Sequence, residues 1–216
     1  MNNTISHAVK TARTAHATQL RKYTKEPYLT HVFSVAGLVA SVTHDEDVIA
    51  AALLHDTVED SELTIENIKE LFGPRISNMV YYVTDISTPK DGNRATRKAI
   101  EREHISKGSY ESKTIKLADL IDNLRTIIPF DSKFAKIFIN EKELLLPHLK
   151  EGNSVLYKLA SDIIKNIGFD KPKLLTYTEF FNEVISNNIK LTNQEDANVF
   201  ASWKVGGQDF YVYGYK

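Results

Sequence analysis

The chain has 216 residues, of which 42% are hydrophobic and 25% are charged, and its formal net charge is −1. This length and composition are typical of a globular protein that buries one large core. The near-zero charge argues against a general nucleic-acid-binding protein, which would carry a basic excess. The sequence contains no cysteine, which excludes disulfides, thiolate metal sites and cysteine nucleophiles.

The N-terminal stretch MNNTISHAVKTARTAHA lacks the apolar core of a secretory signal. No stretch of the sequence approaches the ~20 apolar residues of a membrane span. We therefore expect a soluble, cytoplasmic protein that has neither a membrane nor a nucleic acid as its partner.

Helical periodicity dominates residues 1–168. A first amphipathic helix is indicated by apolar residues spaced mainly three or four apart: Ile5, Ala8, Val9, Ala12 and Ala15. Pro27 can open a second helix, because its missing N–H costs little in the first turn. Asp45 is a suitable N-cap for a third helix. A fourth can begin after Thr64 and end at Gly73 and Pro74.

Four more helical stretches follow a turn-rich loop at residues 84–93. They are a basic helix ending near Gly108, the segment SKTIKLADLIDNLRTI, and roughly residues 132–150 and 153–167. The predicted fold class is therefore all-α, a compact helical bundle.

Residues 169–216 form a small C-terminal extension of unknown role. The stretch TYTEFFNEVIS predicts a short helix, and VFASWKV–GG–QDFYVYGYK predicts a β-hairpin, because two aromatic-rich strands flank a Gly-Gly turn.

A group of potential metal ligands interrupts three apolar segments. His55 and Asp56 end the run AALLHD, while His31 lies in PYLTHVFSVAG and Asp119 in TIKLADLIDN. Adjacent helical side chains diverge by about 100°, so the His-Asp pair can meet one ion only near a helix end or with ligands from elsewhere. Two imidazoles and two carboxylates suit Mn²⁺, Fe²⁺, Mg²⁺ or Zn²⁺. Satisfied core histidines and a solvated, capped helix end would explain the same residues without a metal.

The basic helix carries a stripe of cations at successive spacings of three, one and four residues: Arg94, Arg97, Lys98 and Arg102. A phosphate-binding face and a solvated helix whose cations pair with Glu101 and Glu103 explain this stripe equally well.

Three motifs of this sequence, in this order, resemble those of the HD-domain metal phosphohydrolases, and within them those of the hydrolase domain of the Rel/SpoT alarmone enzymes. The motifs are RKYTKEPYLTH, AALLHDTVED and IKLADLIDNLRT. The resemblance covers roughly residues 8–150. Since no synthetase domain follows in this sequence, the chain is similar to the stand-alone small alarmone hydrolases, a group that includes a metazoan SpoT homologue. It implies an HD hydrolase domain at residues 1–168, with residues 169–216 as the extension.

The resemblance also implies residue roles. The metal ligands, usually of Mn²⁺, would be His31, His55, Asp56 and Asp119. Glu59 and Asp60 would be the catalytic pair, with acid and base roles left open. Substrate contacts would come from Arg21 and Lys22 at the purine, from Asn123 and Thr126 in the nucleoside pocket, and from Arg97 and Lys98. Leu120 and Asp122 depart from the family, which usually has Arg and His there.

The implied reaction is hydrolysis of the 3′-pyrophosphate of (p)ppGpp to GDP or GTP by a metal-activated water. A (p)ppApp hydrolase and an NADPH 2′-phosphatase would use the same site. The motifs are also compatible with a nucleoside monophosphate phosphatase and with an antitoxin or regulatory protein that acts on a partner synthetase. Besides the purine nucleotide, the possible partners are that synthetase or a second copy of the chain.

Overall fold

A computed structural model describes residues 4–166 and the backbone of two strands, 199–205 and 208–213. The helices are α1 Thr4–Ala15, α2 Leu29–Ala40, α3 Glu46–Leu54, α4 Thr57–Asp60, α5 Ile65–Val83, α6 Arg94–Ser106, α7 Tyr110–Phe130, α8 Ser132–Leu145 and α9 Ser154–Asn166. Two 3₁₀ turns cover Pro89–Asp91 and Leu146–Leu149. The predicted all-α bundle is confirmed. None of the described helices is long and apolar enough to cross a membrane.

Two predicted helix caps are confirmed. The Asp45 carboxylate accepts a hydrogen bond from the backbone N–H of Asp47 at 3.0 Å. The Thr64 hydroxyl accepts one from the Asn67 N–H, and the Asn67 side chain accepts one from the Thr64 N–H in return. These bonds satisfy backbone donors that the first turn of a helix leaves without partners.

The structure corrects one predicted helix start and confirms one predicted helix end. Helix α2 begins at Leu29, two residues later than the prediction from Pro27, because the backbone of Pro27 pairs with Leu20 in an isolated bridge. The helix that Thr64 caps ends at Gly73, as predicted, because the backbone there (φ 85°, ψ 171°) is not helical. A second helical stretch that was not predicted begins at Pro74 and continues to Val83, so α5 consists of two helices joined at a kink.

Helices α2, α3 and α7 form the centre of the bundle. Nine of the twelve α2 residues are buried, and Ala50, Ala51 and Ala52 of α3 have no exposed surface. Small side chains allow close approach of these helices, which pack against one another and against α5 and α9. All three central helices carry predicted metal ligands or lead directly into them.

Strands β1 Val199–Val205 and β2 Gln208–Tyr213 pair antiparallel, with Trp203 opposite Phe210. They lie where the sequence predicts the hairpin. The Gly-Gly turn, the short helix TYTEFFNEVIS and the boundary at residue 168 fall outside the described residues.

Candidate active site

The His-Asp pair lies at a joint between two helices. Helix α3 ends at Leu54, His55 is its C-cap residue, and Asp56 precedes α4 with φ −102° and ψ −1°. This break in the helix brings His55 Nε2 to 3.1 Å from Asp56 Oδ2. A continuous helix would point the two side chains about 100° apart.

Helices α2 and α7 add the other two candidate ligands. His31 Nε2 lies 3.2 Å from His55 Nε2, 3.4 Å from Asp56 Oδ2 and 3.5 Å from Asp119 Oδ1. In a six-coordinate site, neighbouring ligand atoms at right angles and ~2.1 Å from the ion are about 3 Å apart. His31, His55 and Asp56 offer ligand atoms that all lie within 4.8 Å of one another. Asp119 adjoins this set through His31.

Both imidazoles are oriented by their second nitrogen. His55 Nδ1 lies 2.8 Å from the carbonyl oxygen of Ala52, and His31 Nδ1 lies 2.7 Å from Asp122 Oδ2. Because these oxygens only accept, each Nδ1 carries a proton, and each neutral imidazole would direct its Nε2 lone pair into the cluster. Two lone pairs at 3.2 Å require a proton or a cation between them. The donor set therefore fits a divalent metal ion.

The two carboxylates of the cluster are also held in place. Tyr28 donates its hydroxyl proton to Asp56 Oδ2 at 2.5 Å, and Asn123 Nδ2 donates to Asp119 Oδ1 at 2.6 Å. Burial alone would raise the pKa of Asp119, but Lys116 and His31 lower it below its usual value. Asp119 is therefore an anion, ready to bind a cation.

Glu59 lies on the wall of a cavity of about 220 Å³ that Asp56, Asp119 and Lys116 also line. Its Oε1 accepts a hydrogen bond from the Asp85 N–H at 2.8 Å. Glu59 is exposed as a residue, but the cavity wall partly shields its carboxyl group from water, and this is the main cause that raises its pKa to about 8. Lys116 opposes this shift, and the carboxylates of Asp56 and Asp85 add to it. Glu59 can therefore exchange a proton near neutral pH.

Asp60 has different surroundings from Glu59. Its Oδ2 accepts a hydrogen bond from Gln19 Nε2 at 2.9 Å and lies 4.0 Å from His16 Nδ1. Asp60 is not among the residues that line the cavity. Glu59 and Asp60, which were predicted to act as one catalytic pair, therefore have different surroundings: Glu59 faces the cavity and Asp60 does not.

Three predicted substrate-binding residues contact one another. The buried Arg21 guanidinium donates to Thr126 Oγ1 at 2.9 Å, to Asn123 Oδ1 at 3.4 Å and to Asp122 Oδ2. Arg21 therefore uses its donors within the protein. Lys22 remains near the surface, with Nζ 4.9 Å from the centre of the Tyr23 ring.

Two explanations of the basic helix α6 were left open, a phosphate-binding face and a solvated helix with internal ion pairs, and each accounts for some of its residues. Lys98 lines the cavity and pairs with Asp85 at 2.5 Å, whereas Arg97 does not line it. Glu101 accepts hydrogen bonds from the backbone N–H groups of Ile86 and Ser87 and does not pair with the cations of its helix.

Sequence reasoning missed several residues that shape the site. Tyr28 and Lys116 lie within the motifs PYLTH and IKLAD, each one helical turn before a candidate ligand, His31 or Asp119. This spacing could have indicated that their side chains reach the site. Asp122 was noted only as a departure from the family pattern. Lys142 has no local signal, because its place in the cavity depends on how α8 packs.

Comparison with known proteins agrees with this geometry. The family model described as "HD domain" matches residues 8–137. The chain is 42% identical over 115 residues to the guanosine-3′,5′-bis(diphosphate) 3′-pyrophosphohydrolase MESH1 of Drosophila melanogaster. It is 37% identical over 146 residues to the guanosine-3′,5′-bis(diphosphate) 3′-pyrophosphohydrolase of Aquifex aeolicus. These matches cover 52% and 66% of this chain, and 63% and 20% of the two relatives.

One solved structure has the same architecture over most of the chain. It is described as a metazoan orthologue of SpoT that hydrolyses ppGpp and plays a role in starvation responses. The superposition has a TM-score of 0.69 at 30% identity and covers 78% of this chain and 98% of the other. With the family model matching most of the described bundle and the His-Asp cluster at its centre, the chain belongs to the HD-domain family.

Proposed function

We propose that the protein hydrolyses the 3′-pyrophosphate of a guanosine alarmone, (p)ppGpp, and releases GDP or GTP. One observation carries this proposal: in a chain 42% identical over 115 residues to a 3′-pyrophosphohydrolase, the Nε2 atoms of His31 and His55 face each other at 3.2 Å. Asp56 and Asp119 place oxygens within 3.5 Å of His31 Nε2. We also propose that the protein lies in the cytoplasm, where it would meet a purine nucleotide substrate of this kind.

We assign the metal to His31, His55, Asp56 and Asp119, and we expect Mn²⁺, with Fe²⁺, Mg²⁺ or Zn²⁺ as competitors. When bound, such a cation supplies Lewis acidity toward phosphoryl oxygens and lowers the pKa of water. Tyr28 and Asn123 fix the rotamers of the two carboxylates through their hydrogen bonds. Preorganised ligands avoid part of the entropy cost of binding the ion.

In the reaction, the bond between the ribose 3′-oxygen and its phosphorus breaks, and an oxygen from water forms a new bond to that phosphorus. One proton leaves the water and one reaches the 3′-oxygen. Glu59 suits this transfer, because it faces the cavity and its carboxyl group titrates near neutral pH. Asp60, which Gln19 orients, stays a predicted partner in this step.

A hydrolysis panel tests the proposal. The full chain with Mn²⁺ is incubated with ppGpp, ppApp, NADPH and GMP, and the His55→Ala variant serves as control. Pyrophosphate release from ppGpp that the variant loses is the expected result. Release from ppApp alone would change the base, orthophosphate release from NADPH would change the substrate class, and no release despite bound Mn²⁺ would overturn the proposal.

A further inference from the structure

Four cationic side chains line the cavity beside the His-Asp cluster, and they fall into two classes. Lys98 pairs with Asp85 at 2.5 Å and Lys116 with Asp119 at 3.3 Å. For Arg102 and Lys142, no carboxylate oxygen among residues 4–166 lies within 4 Å of a side-chain nitrogen. The first two cations are neutralised within the protein, and the other two are available to an anion that enters the cavity.

Lys142 lines the cavity from helix α8. The residue is half-buried on α8, and its Nζ lies 4.6 Å from the centre of the Phe138 ring. Burial and the nearby cations Lys116 and Lys98 together lower the pKa of Lys142 to about 8, although Asp119 and Asp85 oppose this shift. An ammonium group in such a place is stabilised by an anionic ligand, which replaces the lost hydration.

Arg102 reaches the same cavity from helix α6, whereas Lys142 reaches it from helix α8. A guanidinium group donates two parallel hydrogen bonds to phosphate oxygens, and an ammonium group adds a compact charge. Asp56 and Asp119 line this cavity as well, so one ligand can reach the metal-binding carboxylates and both cations.

We propose that Arg102 and Lys142 form a subsite for the outer phosphate of a diphosphate whose inner phosphate lies beside the His-Asp cluster. This inference rests on the proposed function for the identity of the nucleotide, and it narrows the substrate class. A diphosphate on the ribose fills both positions, whereas a single phosphate, as in NADPH, leaves the two cations without a ligand. The site therefore selects a 3′-diphosphate over a monophosphate.

The test compares two inorganic anions on the full chain at a fixed free Mn²⁺ concentration. Calorimetric titration gives the Kd of pyrophosphate and of orthophosphate for the unmodified protein, Lys142→Met and Arg102→Met. Lys133→Met, at an exposed position of the same helix α8, is the matched control. We expect each cavity variant to weaken pyrophosphate binding roughly 10-fold or more, the usual scale for a lost charge-assisted hydrogen bond, and to leave orthophosphate unchanged.

The Mn²⁺ affinity of each variant checks that the metal ligands remain intact, and Lys142→Arg should keep the preference for pyrophosphate because it keeps the charge. Unchanged pyrophosphate binding in both variants, or an equal loss for both anions, would overturn the subsite.

Parallel assays with ppGpp separate the two proposals. If ppGpp is not cleaved but the variants still lose pyrophosphate, the subsite holds and the alarmone assignment fails. If ppGpp is cleaved and pyrophosphate binding is unchanged in the variants, the alarmone assignment holds and the subsite fails.

Discussion

His31 Nδ1 lies 2.7 Å from Asp122 Oδ2, and the Arg21 guanidinium donates to the same carboxylate oxygen. Asp122 thus joins a candidate metal ligand to a residue that the resemblance assigned to the purine. Burial would raise the pKa of Asp122, but the neighbouring cationic groups hold it below its usual value, and the carboxylate remains an acceptor. A carboxylate behind a metal-binding imidazole fixes its tautomer and raises its basicity.

We therefore predict that Asp122→Asn weakens Mn²⁺ binding about 10- to 100-fold, the range found for such outer partners. The amide can still fill the space, but it no longer supplies the charge that orients the Nδ1 proton. Calorimetric titration of the metal-free protein with Mn²⁺ measures the effect. Asp162→Asn, at an exposed carboxylate that pairs with Lys158, is the control and should bind Mn²⁺ normally. An unchanged Kd in Asp122→Asn would remove this residue from the metal site.

The contacts of Arg21 lead to a prediction that differs from its assigned role at the purine. Because its guanidinium is bound to Asp122 and Thr126, Arg21→Ala should disturb His31 through Asp122 and lower kcat more than it raises KM. Steady-state hydrolysis of ppGpp measures both constants, with the exposed Arg13→Ala as control. A rise in KM at constant kcat would show that Arg21 leaves these partners to bind the base.

Glu59 gives a prediction of stability against pH in the metal-free protein. Its folded pKa of about 8 lies above the ordinary value of 4.5, so the native state binds more protons than the unfolded state between these values. The contribution of Glu59 to stability is therefore fully present below pH 4.5 and is lost as the pH rises through about 8. Thermal unfolding in a chelator from pH 5 to 9 should show a steeper fall in Tm for the unmodified protein than for Glu59→Gln. Parallel curves would contradict the raised pKa.

Local sequence signals predicted most of the helical fold, and the candidate metal ligands were predicted only when the family resemblance was added to them. Asp45 and Thr64 act through backbone groups two or three residues away, so the sequence alone determines their caps. His31, His55 and Asp56 interrupt apolar segments that pack at the centre, and the family resemblance is what singled them out as ligands. The sequence could not show that a helix break lets His55 and Asp56 converge, since this depends on the start of α4.

Long-range contacts explain what the sequence could not predict. Asp122 lies 91 positions from His31 and 101 from Arg21, so no local pattern connects them. Lys142 lines the cavity only because α8 contributes to its wall. Periodicity detects the face of a helix that is buried, but not the side chain that it will meet there.

Gly73 leads to the last prediction, because the helix that begins after Thr64 ends there, as predicted, and a second helical stretch follows directly from Pro74. Its φ of 85° and ψ of 171° lie in a region that only glycine adopts readily, although a Cβ at this position would meet no atom within 4 Å. Gly73→Ala should therefore lower the free energy of unfolding by about 1–3 kcal/mol through backbone strain alone. Urea unfolding measures the loss, with the exposed Glu70→Ala on the same helix as control. Equal stability of the two variants would show that the kink relaxes without cost.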